Sequence, residues 1–271
     1  MTQHIAPVSS MLLLGCGKMG GAMLEGWLAG GLPPSAVQVI EPRPSARLEA
    51  LAAQGLALNP ADPQQPEVAV LAVKPQMMAA AAPALAGFGG GGTLVLSIAA
   101  GTPISAFEAM FGPGTPIVRA MPNTPAAIGR GITAVVANAA AGEAGSAKAE
   151  ALLAAIGETV RLEHEGQIDA VTGVSGSGPA YVFHLIEALA AAAEAEGLPA
   201  DLAMRLARAT VCGAGALAAE SAESAETLRQ NVTSPAGTTA AGLAVLMPEL
   251  PDLMTRTVAA AAARSRALAV T

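Results

Sequence analysis

Gly15-Cys16-Gly17-Lys18-Met19-Gly20 follows the apolar run Met11-Leu12-Leu13-Leu14 and opens a helical pattern. That order of strand, glycine-rich turn and helix decides the fold. In a G-x-G-x-x-G turn the first glycine permits the tight bend and the second lets backbone approach a pyrophosphate. The third allows helix and strand to pack closely while the helix N-terminus faces the anion. A turn of this composition can also join strand to helix without any ligand.

Working outward, the N-terminal half alternates short apolar runs with helical patterns, as βαβ units on a parallel sheet do. Strands are expected at Val8 to Leu14, Val37 to Glu41, Val68 to Val73 and Thr93 to Ile98, with helices over Gly20 to Ala29 and Arg47 to Gln54. The continuous apolar character of these strands predicts a sheet covered on both faces. Ile117 to Pro122 and Thr133 to Ala137 read as later strands, antiparallel to each other. A helix over Gly142 to Ile156 and a strand at Thr159 to Leu162 close the region. The polar stretch His164-Glu165-Gly166 then marks a boundary, dividing residues 1–163 from residues 164–271.

Beyond it strand patterns cease. Helical ones run through Pro179 to Glu196, Asp201 to Ala219 and Pro251 to Ala269, with shorter helices around Thr227 and Thr238. These helices carry alanine on several sides and few large apolar side chains each, so packing against a second copy would supply missing burial. The fold class expected is an α/β Rossmann-type domain followed by an all-α domain.

Composition bounds the partners. The chain has 271 residues, 52% of them hydrophobic and only 2% aromatic, enough for a sizeable core built from Ala, Leu, Val and Met. A formal net charge of -7 with no Lys/Arg cluster excludes a phosphate-tracking surface for nucleic acid and points to a small-molecule partner. Cys16 and Cys212 form neither a disulfide framework nor a zinc spacing, so no metal is expected and a reducing, cytoplasmic setting fits. No signal peptide is expected, because the first ten residues lack Lys and Arg. The long uncharged stretch Pro75 to Phe107 is broken by Pro83, Gly87, Gly89 to Gly92 and Pro103, so it reads as helix, loop and buried strand rather than a membrane span.

The candidate site residues follow strand ends. Glu41 ends the second strand, where an acid bonds the adenosine ribose hydroxyls and disfavours a 2′-phosphate. Arg43 and Ser45 lie just beyond and are able to neutralise or bond that phosphate, so the choice between NADPH and NADH stays open. Ala72-Val73-Lys74-Pro75, Ser97 to Gly101 and Met121-Pro122-Asn123-Thr124-Pro125 also sit at the carboxyl ends of strands, the edge where such sheets bind ligands. The expected cofactor contacts are therefore Gly15, Cys16, Gly17, Lys18, Met19, Gly20, Glu41, Arg43, Ala72, Val73, Lys74, Pro75, Ala99, Ala100, Gly101 and Asn123.

In the helical half, Val174-Ser175-Gly176-Ser177-Gly178-Pro179-Ala180-Tyr181 is a small-residue loop that either lines a pocket or lets helices approach. Asn231 to Ala240 places hydroxyls and flexible backbone before a helix. There backbone N–H groups can hold a carboxylate without a basic side chain, or Ser234, Thr238 or Thr239 can serve as an ordinary cap. The only lysines are Lys18, Lys74 and Lys148, so the helical half has none to donate a proton, and its one histidine, His184, sits among Phe183, Leu185 and Ile186. Ketone reduction creates an alkoxide that needs such a donor, whereas a protonated imine does not.

Two strings in this half, Asp169 to Tyr181 and Leu228-Arg229-Gln230-Asn231-Val232-Thr233-Ser234-Pro235-Ala236-Gly237-Thr238-Thr239, closely resemble pyrroline-5-carboxylate reductase. So do the glycine-rich turn, Ala72 to Pro75, Ser97 to Gly101 and Asn123-Thr124-Pro125, in order across nearly the whole chain. The resemblance implies a homodimer through the helical domain, with rings of dimers in some members. It places the active site where NADPH or NADH meets the partner's helical domain. It also implies that 1-pyrroline-5-carboxylate is held by Ser234, Gly237, Thr238 and Thr239, with Thr239 as the catalytic contact to the ring nitrogen. A glycine is usual at Ala236, so left-handed backbone there would strain this chain. The rival expectations are a β-hydroxyacid dehydrogenase, which would use a lysine absent here, and a non-catalytic dinucleotide-binding protein.

Overall fold

In a computed structural model, residues 8–74, 76–78, 85 and 87–269 are described. The chain forms two compact units, one of residues 1–176 with 261–271 and one of residues 177–260.

The first unit is built on an eight-stranded sheet of order β3-β2-β1-β4-β5-β6-β7-β8. Its strands are β1 Met11–Leu14, β2 Val37–Ile40, β3 Ala57–Leu58, β4 Val68–Leu71, β5 Leu94–Ser97, β6 Ile117–Met121, β7 Gly131–Ala137 and β8 Gly157–Arg161. The helices are α1 Lys18–Ala29, α2 Ala46–Ala52, α3 Ile104–Phe111, α4 Gly142–Leu153 and α5 Ile168–Val171. Strands β1 to β6 pair in parallel; β7 runs antiparallel to β6, as expected, and β8 parallel to β7. Because strand order reverses at β1, with β2 on one side and β4 on the other, the crevice beyond the carboxyl ends of those strands is the ligand position of such sheets.

Every residue of β1, β4 and β5 is buried, which the unbroken apolar runs predicted. Alternation sends neighbours to opposite faces. Met11 and Leu13 join one core with Met23, Leu24 and Trp27 of α1; Leu12 and Leu14 join another with Ile104, Phe107 and Phe111 of α3. Trp27 is fully buried, and its indole N–H donates to the Leu152 carbonyl at 2.9 Å, tying α1 to α4. The buried Arg119 of β6 pairs with Glu165 at 2.6 Å, and the same carboxylate oxygen accepts the N–H of Ile104 at the start of α3.

Some elements differ from expectation. The first strand begins at Met11 rather than Val8. Ser9 instead donates through its N–H and hydroxyl to Glu67, both at 2.8 Å, so side-chain bonds replace the ladder there. Helix α3 and the short β3 are additions to the expected elements.

The second unit is helical: α6 Gly178–Ala195, α7 Ala200–Glu220, α8 Ala225–Asn231 and most of α9 Thr238–Ala269. The expectation of separate helices near Thr238 and from Pro251 is corrected, since α9 runs unbroken for 32 residues through Pro248 and Pro251. Each proline removes one helical hydrogen bond, but the chain around both is exposed, leaving the freed carbonyls to water. Ala190, Ala203 and Ala207 are the buried residues of this unit, so its helices meet through small side chains. Larger residues such as Phe183, Leu217, Val245 and Leu253 face outward, each half exposed or more.

Candidate active site

The parallel register aligns the expected cofactor residues along one edge. Leu14 stands opposite Ile40 and Leu71, Leu71 opposite Ser97, and Ser97 opposite Arg119. Gly15, Glu41, Ala72 to Lys74, Ala99 to Gly101 and Asn123 thus leave the sheet at the same carboxyl edge; Pro75 lies outside the described residues. The turn is closely built. Gly15 has φ +88°, and its N–H donates to the Ile40 carbonyl at 2.9 Å. A Cβ at Gly20 would stand 2.4 Å from the Gly15 carbonyl oxygen and 3.3 Å from the Ala72 Cβ. A Cβ at Gly17 would meet no protein atom within 4 Å. The absence of a side chain at Gly20 is therefore required by the fold, while Gly17 faces open space, where only a ligand gains from it. This cradle fits a dinucleotide.

Glu41 is held from both sides. Asn59, itself left-handed at φ 48°, accepts from the Glu41 N–H at 2.8 Å and donates to the Glu41 carbonyl at 3.0 Å. The carboxylate accepts from the Cys16 N–H at 2.9 Å and from the Arg43 N–H at 3.1 Å. Asn59 escaped the sequence reading, although asparagine is the side chain that best tolerates left-handed backbone. Burial, followed by the Glu41 and Glu25 carboxylates, pushes the Cys16 thiol up to about 11, so near neutral pH it is protonated and a poor nucleophile. Lys18 and Lys74 are exposed at the mouth of the edge. Asn123 is buried; its side-chain oxygen accepts the Ile132 N–H at 3.0 Å and braces β7, while its main-chain carbonyl accepts the Ala126 N–H at 3.1 Å.

The small-residue loop leaves α5 as a π turn over Thr172–Gly176. Ser175 donates back to the Val171 carbonyl at 3.1 Å, and a Cβ at Gly176 would lie 2.9 Å from the Met121 methyl at the end of β6. At Gly176 the glycine serves close packing. His184 is four-fifths exposed and paired with Glu187 at 3.0 Å, a surface group rather than a packed one.

In the second unit the Ser234-to-Gly237 turn delivers the chain into α9. The Gly237 N–H donates to the Ser234 carbonyl at 3.0 Å, and the Gly237 carbonyl accepts from Ala241 at 3.2 Å. A Cβ at Gly237 would fall 2.4 Å from the Ser234 hydroxyl oxygen and 3.1 Å from its carbonyl oxygen, so a larger residue there would push the hydroxyl out of its present position. The hydroxyls of Ser234, Thr238 and Thr239 have no hydrogen-bond partner among the described residues, so none is spent as a cap. They stand beside the first N–H groups of a long helix, which have no intrahelical acceptors and suit an anion. Ala236 has φ 60°, the strained state expected of it. Ala236→Gly should therefore be neutral to stabilising, by up to about 1 kcal/mol, relief of left-handed strain exceeding the added unfolded-state entropy. Thermal unfolding reads this directly, and a loss of that size would show that the alanine is not strained.

Comparison with known proteins gives consistent matches. Residues 165–268 match the pyrroline-5-carboxylate reductase dimerisation family, and residues 10–101 match the NADP oxidoreductase coenzyme F420-dependent family. The chain is 40% identical over 233 residues to the pyrroline-5-carboxylate reductase of Pseudomonas aeruginosa, covering 85% of each. It is 36% identical to that of Glycine max over 260 residues, 94% of each. A pyrroline-5-carboxylate reductase structure from Coxiella burnetii superposes with a TM-score of 0.90 at 34% identity, covering 98% of this chain and 100% of that one. The Plasmodium falciparum pyrroline carboxylate reductase with NADP bound gives 0.81 at 26% identity, covering 96% and 98%.

Proposed function

The chain belongs to the pyrroline-5-carboxylate reductase family, and on that premise we propose that it reduces 1-pyrroline-5-carboxylate to L-proline with NADPH or NADH. The observation that carries this reading is the set of free hydroxyls and helix N–H groups at Ser234 to Thr239, in a helical half without any lysine. The bound nicotinamide supplies a hydride. Main-chain amides around Gly237 and Thr238, with the Ser234 hydroxyl, hold the substrate carboxylate. Thr239 hydrogen-bonds the ring nitrogen and fixes the C=N carbon for attack. A C–H bond forms at that carbon, the π pair moves to nitrogen, and nitrogen keeps the proton it carried, so no side chain has to donate one. Positioning is then the main contribution of the protein.

The functional boundary in this reading falls between residues 163 and 164, supported by the dimerisation match that begins at residue 165. The outward apolar residues of α6, α7 and α9 are read as covered by a second copy, with rings of such dimers as the further assembly. Helix α7, Ala200–Glu220, is long and apolar enough to cross a membrane by length and composition. Its exposed face is assigned to the partner subunit instead of lipid. A monomeric mass in light scattering at micromolar concentration would remove the dimer from this account. The free cysteines support a cytoplasmic setting, and the acidic balance speaks against nucleic acid as a partner.

The test is to incubate the chain with 1-pyrroline-5-carboxylate and each reduced nucleotide, measuring proline formed against nucleotide consumed. No proline with either nucleotide ends the reading. Thr239→Val should lower kcat/KM roughly fivefold or more, the worth of one neutral hydrogen bond of about 1 kcal/mol that sharpens toward the transition state. Thr239→Ser should retain most of the activity. An unchanged kcat and KM in the valine variant would take the role from Thr239.

A further inference from the structure

Four polar residues follow the end of β2, where the 2′ position of an adenosine ribose is expected, and the structure has committed them unequally. Glu41 is fixed through its main chain by Asn59, and each carboxylate oxygen accepts one backbone N–H, from Cys16 and from Arg43. A carboxylate offers about four lone-pair positions, so room remains for the two donors of a vicinal diol. It offers nothing to a phosphate, which only accepts. Arg47 is spent on Glu25 in a two-pronged pair at 2.6 and 2.9 Å. The Ser45 oxygen accepts from Leu48 as the cap of α2. Arg43 alone carries no ion pair among the described residues, and it is exposed, where water and salt screen it, whereas Glu41 is half-buried against the turn.

We infer that Glu41 is a specificity-determining residue that makes this chain prefer NADH over NADPH, by fixing a carboxylate where a 2′-phosphate would have to sit. The inference rests on the glycine-rich turn being the nucleotide site of the proposed reductase. Glu41 then has two linked tasks: it braces the turn through Cys16, and it accepts from ribose hydroxyls. Arg43, exposed at the surface, does not offset a carboxylate held in one place by four hydrogen bonds around the residue.

Calorimetric titration of the full chain with NADH and with NADPH, in the absence of imine, reads the preference without turnover. NADH should bind on the order of tenfold more tightly or better, as expected for removing one close like-charge contact near a protein surface. Glu41→Gln keeps length and one acceptor but removes the charge. It should close most of that gap by strengthening NADPH, while Arg43→Ala should leave NADH the tighter ligand. Tighter NADPH binding by the unmodified chain overturns the inference whatever the variants do. So does Glu41→Gln weakening both nucleotides equally, which would leave Glu41 a brace of the turn and nothing more. Absence of proline formation in the earlier assay would not alter this ratio, so failure of the reductase reading and failure of the preference are told apart.

Discussion

Gly20→Val should weaken nucleotide binding by roughly a hundredfold or more, because the turn has no way to admit a side chain at that point. A Cβ at Gly20 would lie 2.4 Å from the Gly15 carbonyl oxygen, a backbone atom that cannot swing aside. Gly15 is itself held by its bond to the Ile40 carbonyl, and Val73 and Ala72 stand 2.8 and 3.0 Å from where its own Cβ would be. Relief requires α1 to move off the sheet, which withdraws its N-terminus from the pyrophosphate position and opens the core around Met23 and Trp27. A displacement of about 1 Å is enough to cost on the order of a hundredfold where a site depends on placement. Gly17→Ala provides the contrast. With no protein atom within 4 Å of the added carbon, it should fold with an unchanged midpoint and still bind nucleotide poorly. Calorimetric titration beside urea unfolding separates the two variants. If Gly20→Val retains normal affinity, the dinucleotide assignment of this turn fails.

Trp27→Ala should remove about 3 to 5 kcal/mol of stability, a large share of the 5 to 15 kcal/mol typical of a folded domain. Trp27 is the chain's one tryptophan, it is fully buried, and it belongs to the core between α1 and the sheet. Truncation leaves a cavity and also strands the Leu152 carbonyl, which lies in the last turn of α4 where helical partners run out. Trp27→Phe should cost less, keeping most of the ring and losing the donor, so the difference between the two variants apportions packing and hydrogen bond. Urea unfolding followed by far-ultraviolet circular dichroism measures both without relying on indole fluorescence. A loss below about 1 kcal/mol for the alanine variant would mean that the core closes over the gap.

Much of the carboxyl edge of the sheet was legible because its signals are local. Unbroken apolar runs such as Met11 to Leu14 and Val68 to Leu71 are buried strands, and the residues after each strand fall on one edge once the strands are parallel. The strain at Ala236 was legible from residue type and position alone. What stayed hidden was long-range or depended on solvent. The bond from Glu41 to Cys16 joins residues 25 apart, and neither local pattern requires it. The passage of α9 through Pro248 and Pro251 depends on exposure, which decides whether freed carbonyls find water. The outward leucines and valines of the second unit obey no amphipathic rule for a single chain, and a sequence pattern read one chain at a time does not say what covers them.

The last turns of α9 belong to the sheet-bearing unit. Ser265 is buried and donates to Asp169 at 2.6 Å, Ala262 is buried, and Leu268 lies against Gly101. The helical unit is therefore an excursion of the chain with two crossings, outward after Gly176 and back at Ala261, and not a tail. A stop codon after residue 176 would remove Ser265 and Leu268, and with them the contacts to Asp169 and Gly101 in the sheet-bearing unit. A minimal nucleotide-binding fragment has to be a splice that carries residues 261 to 269 in cis or supplies them as a peptide.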